Sequence, residues 1–450
     1  MTASPALAAP SSSVDFDAVI VGAGSAGISA ARRFSVAGRS FRLIEASNRI
    51  GGRCITDTST FGMPYDRGAH WIHMPDLNPL MKLSQKLEFD IYHAPTSQRL
   101  RVGRRNARDG ELEEYLGALV RSNHAIADAA RSRTDSNCAA VLPKDLRDWK
   151  PTVEFVLGAY GCGKELREIS AYDFAKSAER DVDSFCRQGL GALLAKLGAV
   201  VPATLSTPVT RIDTSDRLVV ETEKGRISAR YVIVTCSTDV LAAGKIKFTP
   251  ELPKRQLDAL SQLKLGSYDH IALELVGNPL GLQRDELVFE KAESTRTAAL
   301  LANISGTPLA YVEVGGRFGR DLSGQGEQAM TAFAQDWLAE LYGADVKKAI
   351  KRTHATNWNA EPWVLGAFSS ASPGGQGARK LLMEPVRDRI YFAGEAVHET
   401  LWGTVGGAWE SGTRAAEAIL RKMGVLKEPK AKQSPKQAPK QSLTPRRRRS

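Results

Sequence analysis

The chain has 450 residues, 42% of them hydrophobic and 25% charged, which suits a globular protein too long for one ordinary core and suggests two intertwined domains. Its net charge of +11 misleads, because five lysines, four arginines and one glutamate in residues 427–450 supply eight of those charges and leave three to residues 1–426. Five scattered cysteines without a C-x-x-C pair exclude a disulfide framework or a zinc site, and no apolar run approaches the ~20 residues of a membrane span.

In chain order, residues 1–14 are rich in Ala, Ser and Pro and precede the first basic residue, Arg32. They lack the basic start of a targeting peptide and read as a disordered leader, so a cytoplasmic location is expected. An apolar strand, Val19-Ile20-Val21, then runs into Gly22-x-Gly24-x-x-Gly27 and a helix of small residues, and Glu45 closes the next strand. This order is what a βαβ dinucleotide site requires: Gly22 for the tight turn, Gly24 for approach to a pyrophosphate, Gly27 for helix–strand packing. Glu45 stands where an acid hydrogen-bonds ribose hydroxyls. Arg49 and Arg53 flank Gly51-Gly52 a few residues on; glycines admit a cofactor, and guanidinium donors suit phosphate oxygens, which favours FAD over NAD. Solvated arginines beside a turn are the plainer alternative, above all for Arg49.

Residues 75–188 read as mostly helical, with apolar residues at helical spacing over Pro79–Leu87, Leu112–Ala130 and Lys164–Ala178. A helix over Leu190–Leu197 leads to the strand Val209–Ile212, a hairpin turning at Lys224-Gly225, and a buried strand Tyr231–Cys236. Residues near 266–383 alternate strands with a helix over Glu327–Tyr342. A last strand, Arg389–Phe392, ends in Gly394-Glu395, and a helix opened by the Gly403–Gly412 stretch runs to about Arg421. The tail, with Lys-Gln-x-x-Pro-like units ending in four arginines, cannot bury enough apolar surface to fold. It reads as a solubilising extension or as a weak electrostatic contact for nucleic acid or an acidic surface.

Taken together, the Gly-x-Gly-x-x-Gly strand and helix, the Arg49–Arg53 stretch, the run Asp66-Arg67-Gly68-Ala69-His70-Trp71-Ile72-His73 and the Gly394-Glu395 segment with its following helix closely resemble the flavin-containing amine oxidases. These include monoamine oxidases, polyamine oxidases and flavin histone demethylases. The resemblance implies a Rossmann-like FAD-binding domain (15–74, 189–265 and 384–424) interleaved with a mixed α+β substrate-binding domain (75–188 and 266–383). By the same resemblance Gly22, Gly24, Gly27, Glu45, Arg53, Gly68, Ala69, Val209, Gly394, Glu395, Thr404 and Val405 hold FAD. Val209 would contact the adenine through its backbone, and the helix N-terminus at Thr404 and Val405 would face the isoalloxazine.

The Gly-Ala-His-Trp-Ile-His run is closest to polyamine oxidases, with Thr404 where monoamine oxidases place a tyrosine. His70 is therefore a candidate for contacting the substrate nitrogen, with a structural hydrogen bond as the equal alternative. Most relatives carry a lysine near flavin N5; alignment of Gly266-Ser267-Tyr268-Asp269-His270 places His270 there, as a possible holder of water. His270, His70 and Thr404 are the expected catalytic residues. No cysteine lies in 356–395, where monoamine oxidases bind FAD covalently, so non-covalent FAD is expected, with an amine and molecular oxygen as co-substrates and no metal. Amino-acid oxidases and tryptophan monooxygenase tend to place an arginine where Trp71 falls, and its absence lowers that reading, which stays the first alternative should another arginine bind a substrate carboxylate. A flavin-bearing binding protein using its basic tail is the second, and a desaturase lacks the Gly-Ala-His-Trp run.

Overall fold

The computed structural model describes residues 14–177 and 182–427. The expected leader and basic tail, 1–14 and 427–450, lie outside the described residues but for Val14 and Lys427.

Val19, Ile20 and Val21 are buried because their strand, Phe16–Val21, is central in an eight-stranded sheet. It pairs in parallel with Phe41–Ile44 on one side and Gly225–Val234 on the other. A strand covered on both faces needs apolar side chains at consecutive positions, which is why the segment shows no alternation. Gly225–Val234 is long enough to serve three neighbours; it also pairs antiparallel with Leu218–Thr222 and in parallel with Ile390–Phe392. The C-terminal piece thus returns to the sheet begun at the N-terminus. Helices Ser25–Val36 and Val405–Lys422 cover one face, joined in a core that includes Ile20, Ala30, Phe34, Ala416 and Ile419. They approach so closely that a Cβ on Gly412 would stand 2.0 Å from the Ala26 carbonyl oxygen.

A second, seven-stranded sheet runs in the order Ile350–Ala355, Tyr268–Leu275, Leu309–Gly315, Ala299–Ala302, Glu286–Glu290, Gln98–Val102, Arg105–Asn106. All its pairs are antiparallel except Glu286–Glu290 with Gln98–Val102. Alternation sorts its central strands: Ile271, Leu273, Val312 and Val314 pack with Phe333, Trp337 and Leu338 of the helix Glu327–Tyr342. Tyr268, His270, Tyr311 and Glu313 take the opposite face. Two small sheets complete the fold; one joins Ile72–His73, Asp183–Cys186 and Ile91–His93, the other Thr56–Asp57 and Tyr65–Asp66. The architecture is a mixed α/β fold with a parallel cofactor-type sheet and an antiparallel sheet beside it.

The expectation of mostly helix over 75–188 is met by Pro79–Gln85 and Asp109–Ala129 but not throughout. Strands Ile91–His93, Gln98–Val102 and Asp183–Cys186 lie in the same stretch. The helix expected over Lys164–Ala178 is a 3-10 turn, Leu166–Glu168, and a separate short helix, Ala171–Lys176. Ser170 divides them, because its side chain accepts from the Asp173 N–H and starts a new helix. No helix among the described residues is long and apolar enough to cross a membrane.

Candidate active site

The two sheets enclose a cavity of about 550 Å³. One end is built by the first βαβ unit. Gly22 holds φ = +102°, a conformation open to glycine, and turns the strand into the helix. Gly27 does not line the cavity; a Cβ there would meet the Gly22 carbonyl oxygen at 1.8 Å, so its place is the close packing of helix on turn. Gly24 faces the second glycine pair, since a Cβ on Gly52 would stand 3.3 Å from the Gly24 Cα. The helix beginning at Ser25 has no side-chain cap, which leaves first-turn N–H groups and their partial positive charge for an anion in the cavity. The Ser25 hydroxyl donates to the Val405 carbonyl at 2.8 Å and so ties the N-terminus of the C-terminal helix to the same place.

Glu45 reaches the cavity with its carboxylate aimed by the Ala23 N–H at 2.7 Å and by the Ser47 N–H and hydroxyl at 2.9 and 2.8 Å. Val209 lines the cavity as well. Gly68 and Ala69 lie against Arg53: a Cβ on Gly68 would meet the Arg53 carbonyl at 2.0 Å, and the Ala69 N–H donates to that oxygen at 3.0 Å.

Glu395 is the keystone of the crossing segments. It is buried and accepts from Arg53 Nη1 at 2.9 Å, the Ser369 N–H at 3.1 Å and hydroxyl at 2.7 Å, and the Gly403 N–H at 2.9 Å. Burial alone would raise its pKa; Arg53, Arg379 and the Ser369 hydroxyl outweigh it and hold the carboxyl below the ordinary range. Arg53 is thus committed to Glu395 and to the Ala367 carbonyl. The Thr404 hydroxyl is committed too, donating to the Leu401 carbonyl at 2.7 Å and accepting from the Gly407 N–H at 2.9 Å. The structure makes Thr404 the cap that opens the Val405–Lys422 helix at the cavity wall.

At the other end stand His70, Trp71, Tyr160, Tyr268, His270 and Phe368. Trp402, two residues before Thr404, is fully buried against the Arg379 guanidinium. The Asp66 carboxylate accepts from the Thr56 hydroxyl at 2.5 Å and the Leu190 and Gly191 N–H groups at 3.1 and 3.3 Å. A carboxylate so supplied with donors takes an N–H from His70 Nδ1 at 2.9 Å. His70 Nε2 is buried with no hydrogen-bond partner among the described residues. The ring is held by stacking on Phe185, centroids 4.6 Å apart.

His270 differs. Its Nδ1 lies 3.1 Å from the Asp66 carbonyl and its Nε2 3.3 Å from Glu313 Oε1. Both ring nitrogens face protein acceptors, so in this arrangement neither is left to hold a water, as the sequence suggested. Glu313, Tyr160 and Asp183 were not singled out from sequence. A lone acid in the apolar run Tyr311-Val312-Glu313-Val314 was the available signal for Glu313. Among the described residues no cluster of three or more His, Cys, Asp or Glu could hold a metal.

The glycine cradle, two helix N-termini and an oriented acid define the class: a dinucleotide-dependent α/β enzyme whose second sheet closes the reaction chamber. The chain belongs to the family described as flavin containing amine oxidoreductase, which matches residues 25–420. It is 25% identical over 89% of its length to human lysine-specific histone demethylase 2, of which it spans only 53%. It is 26% identical over 90% of its length to a probable polyamine oxidase 4 of Arabidopsis thaliana, spanning 86% of that protein. Two solved structures share the fold. Cyclohexylamine oxidase from Brevibacterium oxydans has a TM-score of 0.77 at 20% identity, covering 91% of this chain and all of that one. Putrescine oxidase bound to putrescine has a TM-score of 0.77 at 19% identity, covering 90% and 99%. The residues that line the cavity, with the glycine cradle and the N-termini of two helices among them, fit FAD.

Proposed function

We propose that the protein oxidises a polyamine-type amine with non-covalently held FAD and molecular oxygen as acceptor. FAD, when bound, supplies hydride acceptance from the carbon beside the amine nitrogen and passes the electrons to oxygen as hydrogen peroxide. The protein's own part begins at His70. With Nδ1–H spent on Asp66, Nε2 is the ring atom that meets the substrate; it accepts a proton or hydrogen bond from the amine nitrogen. This matters because an alkylammonium of pKa ~10.4 gives up hydride only as the neutral amine. The aromatic walls keep water away, and the imine that leaves is hydrolysed to an aldehyde. That unpartnered Nε2 is the observation that carries the reading.

Resemblance to proteins named polyamine oxidase and putrescine oxidase and the Gly-Ala-His-Trp-Ile-His run support a polyamine-type substrate. An amino acid would need a free guanidinium for its carboxylate. The cavity's two arginines, Arg49 and Arg53, are engaged with the Gly52 carbonyl and with Glu395. Non-covalent attachment is supported by the cavity's two cysteines: burial pushes the Cys236 thiol up to about 12 and Cys54 well above its ordinary value, which leaves no reactive thiolate. Anaerobic bleaching of the flavin band against polyamines, arylalkylamines and amino acids tests the proposal. Fastest bleaching by polyamines is expected; bleaching by amino acids alone would overturn it.

A further inference from the structure

His270 and Glu313 are Cα partners on adjacent antiparallel strands, so their side chains rise from the same face of the sheet. Glu313 is fully buried, and neither carboxylate oxygen makes an aligned hydrogen bond among the described residues. A buried carboxylate without donors is costly unless a cation stands beside it. The Tyr268 hydroxyl is a neutral neighbour of this carboxylate, and the cation that stands beside it is His270, with Nε2 at 3.3 Å. On the opposite side of the ring Nδ1 meets the Asp66 carbonyl at 3.1 Å, and a carbonyl can only accept. A neutral imidazole has one N–H and one lone pair. If Nδ1–H serves Asp66, a neutral ring turns its Nε2 lone pair toward a carboxylate oxygen. Protonation of Nε2 removes that conflict and neutralises Glu313 at once.

We propose that Glu313 is a positioning residue that holds His270 as an imidazolium in the cavity wall. The ring is clamped for this state. Tyr311 stacks on it with centroids 4.5 Å apart at 15°, and Tyr268 meets it edge-on. The Tyr311 hydroxyl accepts from the Asp66 N–H at 3.0 Å, so ring, tyrosine and Asp66 backbone form one unit. The other titratable neighbours from each packed element are Asp269 on the same strand, Tyr160 across the cavity end, and Asp66 with His70. Burial alone would lower the His270 pKa; Glu313, the Asp66 carbonyl and Asp269 reverse this and raise it. Asp66 therefore serves two histidines of different character. Its carboxylate takes His70 Nδ1 and leaves Nε2 without a protein partner, and its carbonyl helps commit both nitrogens of His270 to the protein. His70 thus keeps a ring nitrogen without a protein partner, beside a wall whose positive charge is balanced from behind.

The inference concerns the protein without substrate, so it stands or falls apart from the amine reading. The test is nitrogen NMR of the histidine rings in full-length protein with labelled histidine, with His270→Gln used to assign the signal. At pH 7.5 an ordinary imidazole of pKa ~6.5 is only about one-tenth protonated. His270 is expected to be mostly doubly protonated there, and to fall to about one-tenth or less in Glu313→Gln. A singly protonated His270 in the wild-type protein overturns the proposal, and so does a doubly protonated ring in Glu313→Gln. If that variant does not fold, the wild-type titration alone decides.

Discussion

Replacing Glu395 by glutamine removes one charge while keeping the shape of the side chain. The wild-type carboxylate answers four donors, from Arg53, the Ser369 N–H and hydroxyl, and the Gly403 N–H. Glutamine has one acceptor oxygen, so its amide group would face backbone donors, and Arg53 would lose its counter-ion. Breaking a buried ion pair from one side costs about 3–5 kcal/mol. Arg53 retains partial exposure, 26% of its side chain, so the low end, about 3 kcal/mol, is expected. That is roughly a hundredfold in the folded-to-unfolded ratio at neutral pH. The pH dependence carries the same signature. Because the Glu395 pKa is lowered on folding from 4.5, its contribution is complete well above pH 4.5 and is lost as pH falls through the folded value. Urea unfolding of the flavin-free protein across pH should show a wild-type midpoint that declines in acid and a Glu395→Gln midpoint that is lower and flatter. A variant within about 0.5 kcal/mol of wild type, with an unchanged acid limb, would refute the argument that this carboxylate is held ionised by its partners.

Gly27→Ala drives a methyl into the Gly22 carbonyl and should shift the helix N-terminus at a cost of about 1–3 kcal/mol; flavin affinity measured by fluorescence should fall at least about tenfold. His70→Ala should lower kcat/KM for the best amine by about 10²–10⁴ while flavin binding stays within about twofold; unchanged turnover would remove His70 from the chemistry. Acid precipitation should leave the flavin in the supernatant, and yellow pellets would disprove non-covalent binding. Truncation after Leu426 should leave turnover of a small amine unchanged, and a large loss would assign the basic tail a part in catalysis.

The cofactor half was legible because its signals are local. Gly22, Gly24 and Gly27 are constrained by one turn, and Glu45 and Gly394-Glu395 follow their strands directly, so sequence spacing carries the geometry. The roles of committed side chains were not legible. Arg53 was read as a phosphate donor; the structure has it on the cavity wall and adds a partner for its Nη1 that lies 342 positions away, Glu395. Thr404 was placed at the right segment, but its capping role depends on the Leu401 carbonyl and the Gly407 N–H, which decide what it presents. The strands within 75–188 were missed because a segment such as Gln98-Arg-Leu-Arg-Val carries three polar residues in five. It becomes a strand by pairing in parallel with Glu286–Glu290, nearly two hundred positions later.

His270 shows the limit most sharply. Motif alignment placed it on the cavity wall, where the structure also has it, and from there a ring nitrogen for water was a fair expectation. What spends those nitrogens is a carbonyl 204 residues earlier and a carboxylate on the neighbouring strand. The alternation of Tyr311-Val312-Glu313-Val314 does put Glu313 on the face of Tyr311, but the cross-strand register that sets it against His270 is fixed by the sheet as a whole. The consequence is a division of labour: His70 keeps the one free ring nitrogen because Asp66 occupies only its Nδ1, whereas His270 is held at both. Histidine type and position were readable from the chain; which of the two keeps a ring nitrogen without a protein partner was decided by what lies on the far side of each ring.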